Sequence, residues 1–376
     1  RSTQAKTLFP YTTLFRSEEV YKPGLDPYVS RVIMLQIGAE ENVFVIDTRC
    51  TDITPLYPLL NSKEITWVGA NLKFEAKHLK HNYNVLFHKI WDCMLVDMNL
   101  TNGLDLGYSL AKMAERHLGI KNVNQVDLFT DQDEDDVFID KSTRLGFIDI
   151  GNNPFTYDQV VYGANDITYP LAIKKLQLQG RNGYNPAALH ELENEFCLVL
   201  ADIELQGITF DKEKWLKVAE SKQLIFEQRL KKLNTHVESN YPEFCTKPDL
   251  FSPGKVCNIQ WTSSQQVVEL FKHIGFCPKE KSKETGKMEF TVGAKALGKL
   301  LPANYKELFR TDKETEIATQ EDLILNFLLF KKAEQAVTTF GKEFLKYVHP
   351  VTGKLHSSYR QILNTGRISS NAPNCQ

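Results

Sequence analysis

The sequence predicts an α/β domain followed by a mainly helical domain, and three observations support this division. Short apolar runs alternate with helical periodicity in the first half of the chain, whereas long helical patterns dominate the second half. Gly and Pro interrupt both patterns at RNGYNP (181–186), which is typical of a domain boundary. The length of 376 residues also exceeds what a single hydrophobic core usually serves.

The first half predicts strands and helices in alternation. Two apolar runs, RVIMLQIGA (31–39) and NVFVID (42–47), flank a short acidic turn and predict a β-hairpin. ITWVGA (65–70) predicts a strand that leads into a helix over 71–81, because apolar residues recur there at helical spacing. Further predictions are a passage from strand to helix at 88–94, an amphipathic helix over 106–120, a solvated acidic loop over 131–140 and a long helix over 155–179.

The second half predicts helices almost throughout. Helical periodicity covers 188–207, and a short strand-like ITF (208–210) follows it. Further helices are predicted over 211–237, from TSSQQVVELFKHIGF (262–276) and over 323–348.

Composition and charge narrow the possible functions. The net charge is −2 and the pI is about 6.6, so the chain is not a strongly basic nucleic-acid binder, although a metal-dependent nuclease can combine an acidic site with basic groups elsewhere. No apolar run is long enough for a membrane span, and no signal peptide is apparent. The seven cysteines are scattered without a C-x-x-C pair. We therefore expect neither a zinc site nor a disulfide framework, and a reducing, cytoplasmic location.

The segment Thr7–Ser17 reads TLFPYTTLFRS, which matches one reading frame of a widely used sequencing-library adapter. We therefore expect residues 1–17 to derive from an adapter fused to a truncated gene, with a variable N-terminal segment as the alternative. The chain also stops inside a motif at Gln376, as expected of a fragment.

Several acidic residues carry a candidate hydrolytic site. Hydrolysis of a polynucleotide by two metal ions needs carboxylates that converge on one point. Tyr162 and Asp166 are four residues apart on a predicted helix and so share one face, and Glu75 follows a buried strand near the start of a helix that Asn71 is placed to cap. The alternatives are a solvated Asp166, a half-buried Tyr162 and a surface Glu75 that stabilises the helix dipole. Glu19 is an acidic candidate near the N-terminus.

In combination, these segments resemble the tyrosine-bearing subclass of the DEDD exonucleases, which includes the proofreading domains of family A DNA polymerases and ribonuclease D. Glu19 matches the Glu of the Asp-x-Glu motif, but Ser17 stands where the Asp belongs. Asn71 and Phe74 match the second motif, in which Glu75 replaces Asp. Tyr162 and Asp166 match the third, Tyr-x-x-x-Asp, and the resemblance covers residues 18–180.

The resemblance implies a two-metal site for Mg²⁺ or Mn²⁺, with Glu19, Glu75 and Asp166 as ligands and Tyr162 as a further catalytic residue. It also implies that Asn71 and Phe74 contact the single-stranded 3′ end of DNA. The missing Asp at position 17 removes one ligand and one negative charge, so we expect impaired exonuclease activity.

The C-terminal residues resemble the segment by which family A DNA polymerases enter the palm. The stretch 364–376 reads NTGRISSNAPNCQ, close to the family's Thr-Gly-Arg-Leu-Ser-Ser-x-x-Pro-Asn-Leu-Gln. Its Thr, Ser and Asn side chains suit contact with phosphates and sugars. The resemblance implies that Thr365, Arg367 and Asn374 contact the primer–template. The family's nucleotide-binding helix and palm aspartates lie downstream, so we expect no polymerase activity from these residues alone.

Two earlier segments resemble the start of the same polymerase domain. Glu204–Ile208 and Asp211 match its beginning, and the helix with Lys331, Thr338 and Thr339 resembles the thumb. Lys331 and Thr338 are thus implied to contact DNA, although Gln335 replaces an expected basic residue, and simple packing of an apolar face is the alternative for this helix.

Together these resemblances imply an α/β fold: a ribonuclease H-like mixed-sheet exonuclease domain followed by a mainly helical polymerase thumb region. We expect an exonuclease domain over 18–183 and part of a polymerase domain over 184–376. The implied partner is DNA, with no membrane, and the chain is expected to be a monomer from a bacterium or a phage-infected cell. The alternatives are a ribonuclease D-like exonuclease and a catalytically inactive nucleic-acid-binding fragment.

Overall fold

A computed structural model describes most of the chain. The described residues are 6–12 (backbone only), 25–39, 42–101, 104, 106–120, 147, 150–246, 254–282 and 286–375. The chain folds into two compact units: the first comprises Arg1–Phe210 and Lys346–Gln376, and the second Asp211–Leu345. The predicted acidic loop 131–140 lies outside the described residues.

A mixed five-stranded sheet forms the centre of the first unit. Its strands are β1 (Lys6–Thr12), β2 (Val32–Gly38), β3 (Val43–Asp47), β4 (Trp67–Gly69) and β5 (Ile90–Asp92). The spatial order is β3-β2-β1-β4-β5, in which β1, β2 and β3 pair antiparallel and β1, β4 and β5 pair parallel. The predicted hairpin is the β2–β3 pair, and the mixed sheet is the one expected of a ribonuclease H-like domain.

The central strand β1 comes from the adapter-like segment. The sequence places a strand before Glu19, and Lys6–Thr12 supplies it. Proline usually disfavours a central strand because it has no N–H to donate. Here Pro10 lies opposite Leu35 of β2, whereas pairing with β4 is confined to Lys6 and Thr7. Pro10 therefore lies beyond the part of β1 that is paired on both sides.

Helices cover both faces of this sheet. The helices of the first unit are α1 (Tyr57–Leu60), preceded by a 3₁₀ turn (Thr54–Leu56), α2 (Leu72–Tyr83), α3 (Cys93–Leu100), α4 (Leu110–Leu118), α5 (Tyr157–Gln177) and α6 (Ala187–Gln206). Successive strand residues point to opposite faces. Trp67 accordingly packs with α2 and α6 in one core cluster, whereas the next residue, Val68, packs with Ile167 of α5 in another.

The boundaries of the compact units differ from those of the predicted domains. RNGYNP forms a tight turn in which Arg181 and Tyr184 exchange backbone hydrogen bonds of 2.8 Å, but α6 continues in the same unit because Cys197 and Ala201 are buried in its core. The first unit also contains β6 (Ile208–Thr209), β9 (Lys354–Leu355), β10 (Ser358–Arg360) and β11 (Ser369–Asn371). The division into residues 18–183 and 184–376 stays a prediction.

The second unit is mainly helical, as predicted. Its elements are α7 (Lys212–Asn240), a 3₁₀ turn (Pro242–Phe244), α8 (Ser264–Ile274), β7 (Lys279–Lys281), β8 (Met288–Phe290), α9 (Ala294–Leu300), α10 (Ala303–Arg310), α11 (Gln320–Phe340) and the start of a 3₁₀ helix (Lys342–Tyr347). Its core includes the fully buried rings of Trp261, Phe271 and Phe327.

The prediction of one helix over 323–348 is wrong at its C-terminal end. Helix α11 ends at Phe340, and a separate 3₁₀ helix follows. At Gly341 the chain turns so tightly that a Cβ atom would lie 2.1 Å from the carbonyl oxygen of Val337. Only glycine permits this approach of the backbone to its own helix.

None of the helices in the described part of the chain is long and apolar enough to cross a membrane.

Candidate active site

Glu75 places a buried carboxylate where β4 passes into α2. The apolar residues Trp67 and Val68 bury the strand, and Glu75 lies in the first turn of the helix that follows. Only 5% of Glu75 is exposed, so the surface-carboxylate alternative is wrong. Its Oε2 atom has no hydrogen-bond partner among the described residues. Burial raises the pKa of Glu75 well above its ordinary value, and the charges of Asp92 and Asp166 raise it further.

Asp92 organises the backbone around this carboxylate, and the sequence analysis did not identify it. Its Oδ1 atom accepts hydrogen bonds from the backbone N–H groups of Asn71 (3.1 Å) and Met94 (2.9 Å), and its Oδ2 atom accepts one from Leu72 (2.7 Å). Burial raises the pKa of Asp92, while these backbone donors oppose the rise. One side chain therefore satisfies the first amides of both α2 and α3.

The expectation that Asn71 caps α2 is wrong in its mechanism. Asn71 occupies the N-cap position, but it has φ 63° and its side chain makes no capping hydrogen bond. Asp92 supplies the capping oxygen from the neighbouring strand instead. Asp92 directly follows Ile90 and Trp91 where α3 begins, which is a sequence signal for capping α3 but not for capping α2.

Helix α5 carries Tyr162 and Asp166, as predicted. Only 5% of Asp166 is exposed, so the solvated alternative is wrong for it, whereas Tyr162 is half-buried against the cluster of Ile33 and Met34. A capping box fixes the start of the helix, because Thr156 and Gln159 each bond the backbone of the other. Asp166 and Glu75 are close enough for the charge of Asp166 to raise the pKa of Glu75.

Close packing of α5 on β2 sets the depth of this site. A Cβ atom at Gly163 would lie 2.8 Å from Nε2 of Gln36, so glycine lets the helix approach the strand. Gln36 is fully buried, and its Oε1 atom has no partner among the described residues. Its Nε2 atom lies 3.1 Å from the sulfur of Met34. Gln36 lies within the otherwise apolar run of β2, so the sequence alone does not reveal this buried amide.

The remaining predicted site residues of this half fall into two groups. Asn71 and Phe74 are half-buried at the start of α2, and the Phe74 ring lies 4.1 Å from the His78 ring, centroid to centroid. Glu19 and Ser17 lie outside the described residues. Among the residues that are described, no three His, Cys, Asp or Glu side chains are grouped so as to hold a metal ion. Of the predicted metal ligands, Glu75 and Asp166 lie among the described residues, and their role as ligands stays a prediction.

Comparison with known proteins finds relatives among DNA polymerases. A family model for the 3′-5′ exonuclease domain of family A DNA polymerases matches residues 22–179. DNA polymerase I of Chloroflexus aurantiacus is 29% identical over 221 residues, which cover 57% of this chain and 20% of that protein. The chain therefore resembles the family A DNA polymerases, most clearly in its exonuclease-type domain. The residues match the exonuclease domain of this family, which is generally dependent on divalent metals.

Two other relatives extend the likeness over the whole chain. The DNA polymerase of Bacillus phage SP01 is 24% identical over 403 residues, an alignment that covers 100% of this chain and 40% of the phage protein. The solved POL domain of Pol1 from M. smegmatis, in complex with DNA primer-template and dNTP, is 17% identical with a TM-score of 0.61. That match covers 97% of this chain and 51% of the other, and it concerns the fold. The chain thus spans a minor part of the curated relatives that it matches.

A buried ion cluster joins α2 to α6 and to β10. Glu204, near the end of α6, accepts from Nζ of Lys73 (2.6 Å) and Nζ of Lys77 (2.5 Å), which flank Glu75 on α2. The backbone N–H of Tyr359 in β10 also donates to Glu204 (2.7 Å), and Lys73 donates to the Tyr359 carbonyl. Burial alone would raise the pKa of Glu204, but the two ammonium groups bring it below its ordinary value.

The C-terminal hairpin presents the residues that the family resemblance assigned to primer–template contact. Strands β10 and β11 pair antiparallel, and Thr365 and Arg367 are exposed in the connection between them. Gly366 has φ +71°, a conformation that favours glycine. Asn374 is exposed as well, and its side chain accepts from Ser370 (3.2 Å).

The thumb-like helix α11 carries the last two candidates. Lys331 is half-buried and forms an ion pair with Glu334 one turn away. Thr338 is exposed, and its hydroxyl donates to the backbone carbonyl of Glu334 (2.9 Å). Contact of either residue with DNA stays a prediction.

Proposed function

We propose that this chain is the proofreading 3′-5′ exonuclease region and the N-terminal part of the polymerase domain of a cytoplasmic, bacterial or phage DNA-directed DNA polymerase. The observation that carries the proposal is the buried Glu75 carboxylate, which has an oxygen without a partner among the described residues and feels the charge of Asp166. The comparisons favour this function over the ribonuclease D-like alternative.

The donor set fits a hard divalent cation such as Mg²⁺ or Mn²⁺. Carboxylate oxygens are the ligands that these ions prefer. A cation would offset the cost of an ionised carboxylate in a buried position, which the raised pKa of Glu75 expresses. Two such ions would supply the activated water and the stabilisation of the leaving oxygen. We assign Glu75, Asp166 and Glu19 as the residues that hold them.

The remaining residues have positioning roles in this proposal. Tyr162 lies one helical turn before Asp166 on α5, and we assign its hydroxyl to orienting the attacking water. Asn71 and Phe74, at the start of α2, hold the single-stranded 3′ end. Parallel pairing of β1 with β4 supports the assignment of Glu19, because the chain leaves β1 at the sheet edge where β4 leads to Glu75.

A second candidate, a nucleic-acid-binding chain with little or no nuclease activity, is favoured by one observation. Ser17 stands where the family motif has Asp. A serine hydroxyl is a weaker ligand for Mg²⁺ than a carboxylate. We therefore expect the chain to be impaired as an exonuclease.

Digestion of a 5′-labelled single-stranded DNA with Mg²⁺ or Mn²⁺ tests the proposal. The chain itself would be compared with Ser17→Asp and with the double variant Ser17→Asp, Asp166→Asn. Ser17→Asp should shorten the DNA from its 3′ end at least about tenfold faster than the original, since even outer groups that orient a ligand contribute about 10- to 100-fold. The double variant should lose this gain.

The opposite outcome is equally clear. If none of the three proteins shortens the DNA with either metal, while circular dichroism shows each to be folded, the exonuclease proposal is rejected. Retention of the labelled DNA in a gel-shift experiment would then support the binding function.

A further inference from the structure

Cys245 and Cys257 face each other across a short antiparallel pairing in the second unit. The backbone N–H of Thr246 donates to the carbonyl of Val256 (2.8 Å), and that of Asn258 donates to the carbonyl of Phe244 (2.9 Å). These two hydrogen bonds flank an isolated bridge between the cysteines. The cysteines are therefore a non-hydrogen-bonded pair, the arrangement in which opposite side chains lie closest.

This arrangement satisfies the main geometric requirement of a disulfide. Opposite residues of a non-hydrogen-bonded pair have Cα atoms about 4.5 Å apart, and disulfides span Cα separations of about 4.4–6.8 Å. Both residues are cysteines with free thiols. We propose that Cys245 and Cys257 are a site of reversible covalent modification, which forms an intrachain disulfide by exchange with a small-molecule disulfide.

Neighbouring contacts hold the two cysteines in this position. The backbone N–H of Cys257 donates to Oε1 of Glu238 on α7 (3.0 Å), and the Cys245 thiol donates to the carbonyl of Tyr241 (3.8 Å). Both side chains are half-buried and pack against the core of the second unit. The cysteines are thus fixed opposite each other while one side of each stays accessible to a small reagent.

The exchange needs a disulfide of the glutathione class as the oxidant, and it balances in two steps. The thiolate of one cysteine attacks a sulfur of the reagent, which forms a mixed disulfide and releases one reagent thiolate. The thiolate of the other cysteine then attacks the cysteine sulfur of that mixed disulfide, which forms the Cys245–Cys257 bond and releases the second reagent thiolate. Two electrons pass from the cysteines to the reagent, and the two thiol protons end on the released thiols.

The surroundings of the thiols make this exchange slow at neutral pH. Burial raises the pKa of the thiols of both Cys245 and Cys257, and Glu238 raises both further. A raised pKa lowers the fraction of thiolate, which is the attacking species. The site is therefore a dithiol in a reducing compartment and reacts when disulfide reagents accumulate. Cys277 is a matched comparison, since it is half-buried in the same unit and burial raises the pKa of its thiol as well.

The test exposes the folded protein to oxidised glutathione at mildly alkaline pH, blocks the remaining thiols and maps the peptides by mass spectrometry. Cleavage after Lys255 separates the two cysteines, so a peptide pair linked through Cys245 and Cys257 is diagnostic. We expect this linked pair, which reducing agent removes. Cys277 should carry glutathione or stay a thiol.

Two serine variants sharpen the result. In Cys245→Ser and in Cys257→Ser, the remaining cysteine should accumulate as a mixed disulfide with glutathione, because its resolving partner is gone. The proposal is overturned if Cys245 and Cys257 of the unsubstituted protein each carry glutathione without a link. It is equally overturned if both stay thiols while the exposed Cys50 is modified, since that shows the reagent to be active. Neither outcome depends on the proposed nuclease function.

Discussion

Glu75 is buried, yet one of its carboxylate oxygens has no hydrogen-bond partner among the described residues. The carboxylate lies at the start of α2, and the oxygen in question is Oε2. A buried acceptor without a partner costs about 1–3 kcal/mol of stability. Such a residue is typical of a site that is completed by something the fold itself does not contain. This is why Glu75, rather than the better-satisfied Asp92, is the centre of the proposed site.

Replacement of Glu75 by methionine should therefore stabilise the metal-free protein. Glu75→Met keeps a similar length and removes both buried oxygens, so we expect the free energy of unfolding to rise by about 1–2 kcal/mol. Urea unfolding with a chelator present measures this. Glu191→Met, at an exposed position of α6, is the matched control and should change stability by less than about 0.5 kcal/mol. A clear loss of stability in Glu75→Met would show that the carboxylate is satisfied within the fold.

His78 should make the free energy of unfolding depend on pH. It is fully buried, its Nδ1 atom lies 3.0 Å from the carbonyl of Phe74, and burial lowers its pKa to about 4. Between the unfolded pKa of about 6.5 and the folded value, the unfolded chain takes up a proton that the folded chain does not. This contribution to stability is complete above pH 6.5 and is lost as the pH falls towards 4.

From pH 7 to pH 5, this residue should lower the free energy of unfolding by about 2 kcal/mol. His78→Gln should remove that part of the loss, and denaturant unfolding at the two pH values measures it. His88→Gln, at an exposed position of the same unit, is the control and should leave the loss of stability between pH 7 and pH 5 unchanged. Equal pH dependence in His78→Gln and the original protein would contradict the assignment.

At the scale of elements, the sequence predicted what depends on local pattern. The hairpin of β2 and β3, the strand β4 and the helices α2 and α5 were predicted because apolar residues alternate or recur at helical spacing there. Contacts between distant parts of the chain were not predicted. Asp92 at the end of β5 caps the helix that follows the adjacent strand β4, and no local pattern shows which strand end lies beside which helix.

The cluster around Glu204 illustrates the same limit. The residue was noted for its place in a motif, but its partners Lys73, Lys77 and Tyr359 come from two remote segments. Because the lysines flank Glu75, the cluster fixes the helix turn that carries the proposed ligand. It also ties this turn to β10, which leads into the hairpin with Arg367.

Loss of the Glu204 charge should destabilise the first unit strongly. Glu204→Gln leaves two ammonium groups without their buried partner, so we expect a loss of at least about 2 kcal/mol in the free energy of unfolding. Asp202→Asn is the matched control, because Asp202 also joins α6 to α2 through Lys80 (2.5 Å) but its side chain is 45% exposed. It should lose less than about 1 kcal/mol. Equal effects of the two variants in chemical unfolding would contradict the special role of Glu204.

The hairpin formed by β10 and β11 should contribute to the salt dependence of DNA binding through Arg367. Arg367 is exposed in the connection, where its guanidinium can reach a phosphate. Arg367→Ala should weaken binding of a primer–template about equally for different sequences. It should also reduce the magnitude of the slope of log K against log salt concentration by about one. Fluorescence anisotropy at several salt concentrations measures this slope. Arg310→Ala of α10 is the control and should leave the slope unchanged. An unchanged slope in Arg367→Ala would place Arg367 outside the DNA contact.

At the scale of the whole molecule, the order of the α/β and helical parts was predictable from the sequence, whereas the extent of the compact units was not. Helix α6 reads as the start of the helical half, yet its residues Cys197 and Ala201 pack in the core of the sheet. Residues 346–376 join the same unit. The first unit thus combines two segments that are remote in sequence, which explains how a contact such as that of Lys73 with Tyr359 arises.

The candidate site was predicted to a similar degree. Glu75, Tyr162 and Asp166 were found because motifs specify residue types at fixed spacing, and the structure buries both carboxylates. Asp92 and Gln36 were missed, because a buried polar residue inside an apolar run resembles its neighbours until the packing is known. Glu19 and its role stay predictions.

The central claim is that Glu75 and Asp166 form a site for divalent cations, and Mn²⁺ binding followed by electron paramagnetic resonance tests it most directly. The measurement compares Ser17→Asp with the same protein carrying Glu75→Gln, Asp166→Asn or, as a control, Glu191→Gln. We predict that Glu75→Gln and Asp166→Asn each weaken Mn²⁺ binding at least about tenfold, whereas Glu191→Gln leaves it unchanged. Equal Mn²⁺ affinity in all four proteins would contradict the account.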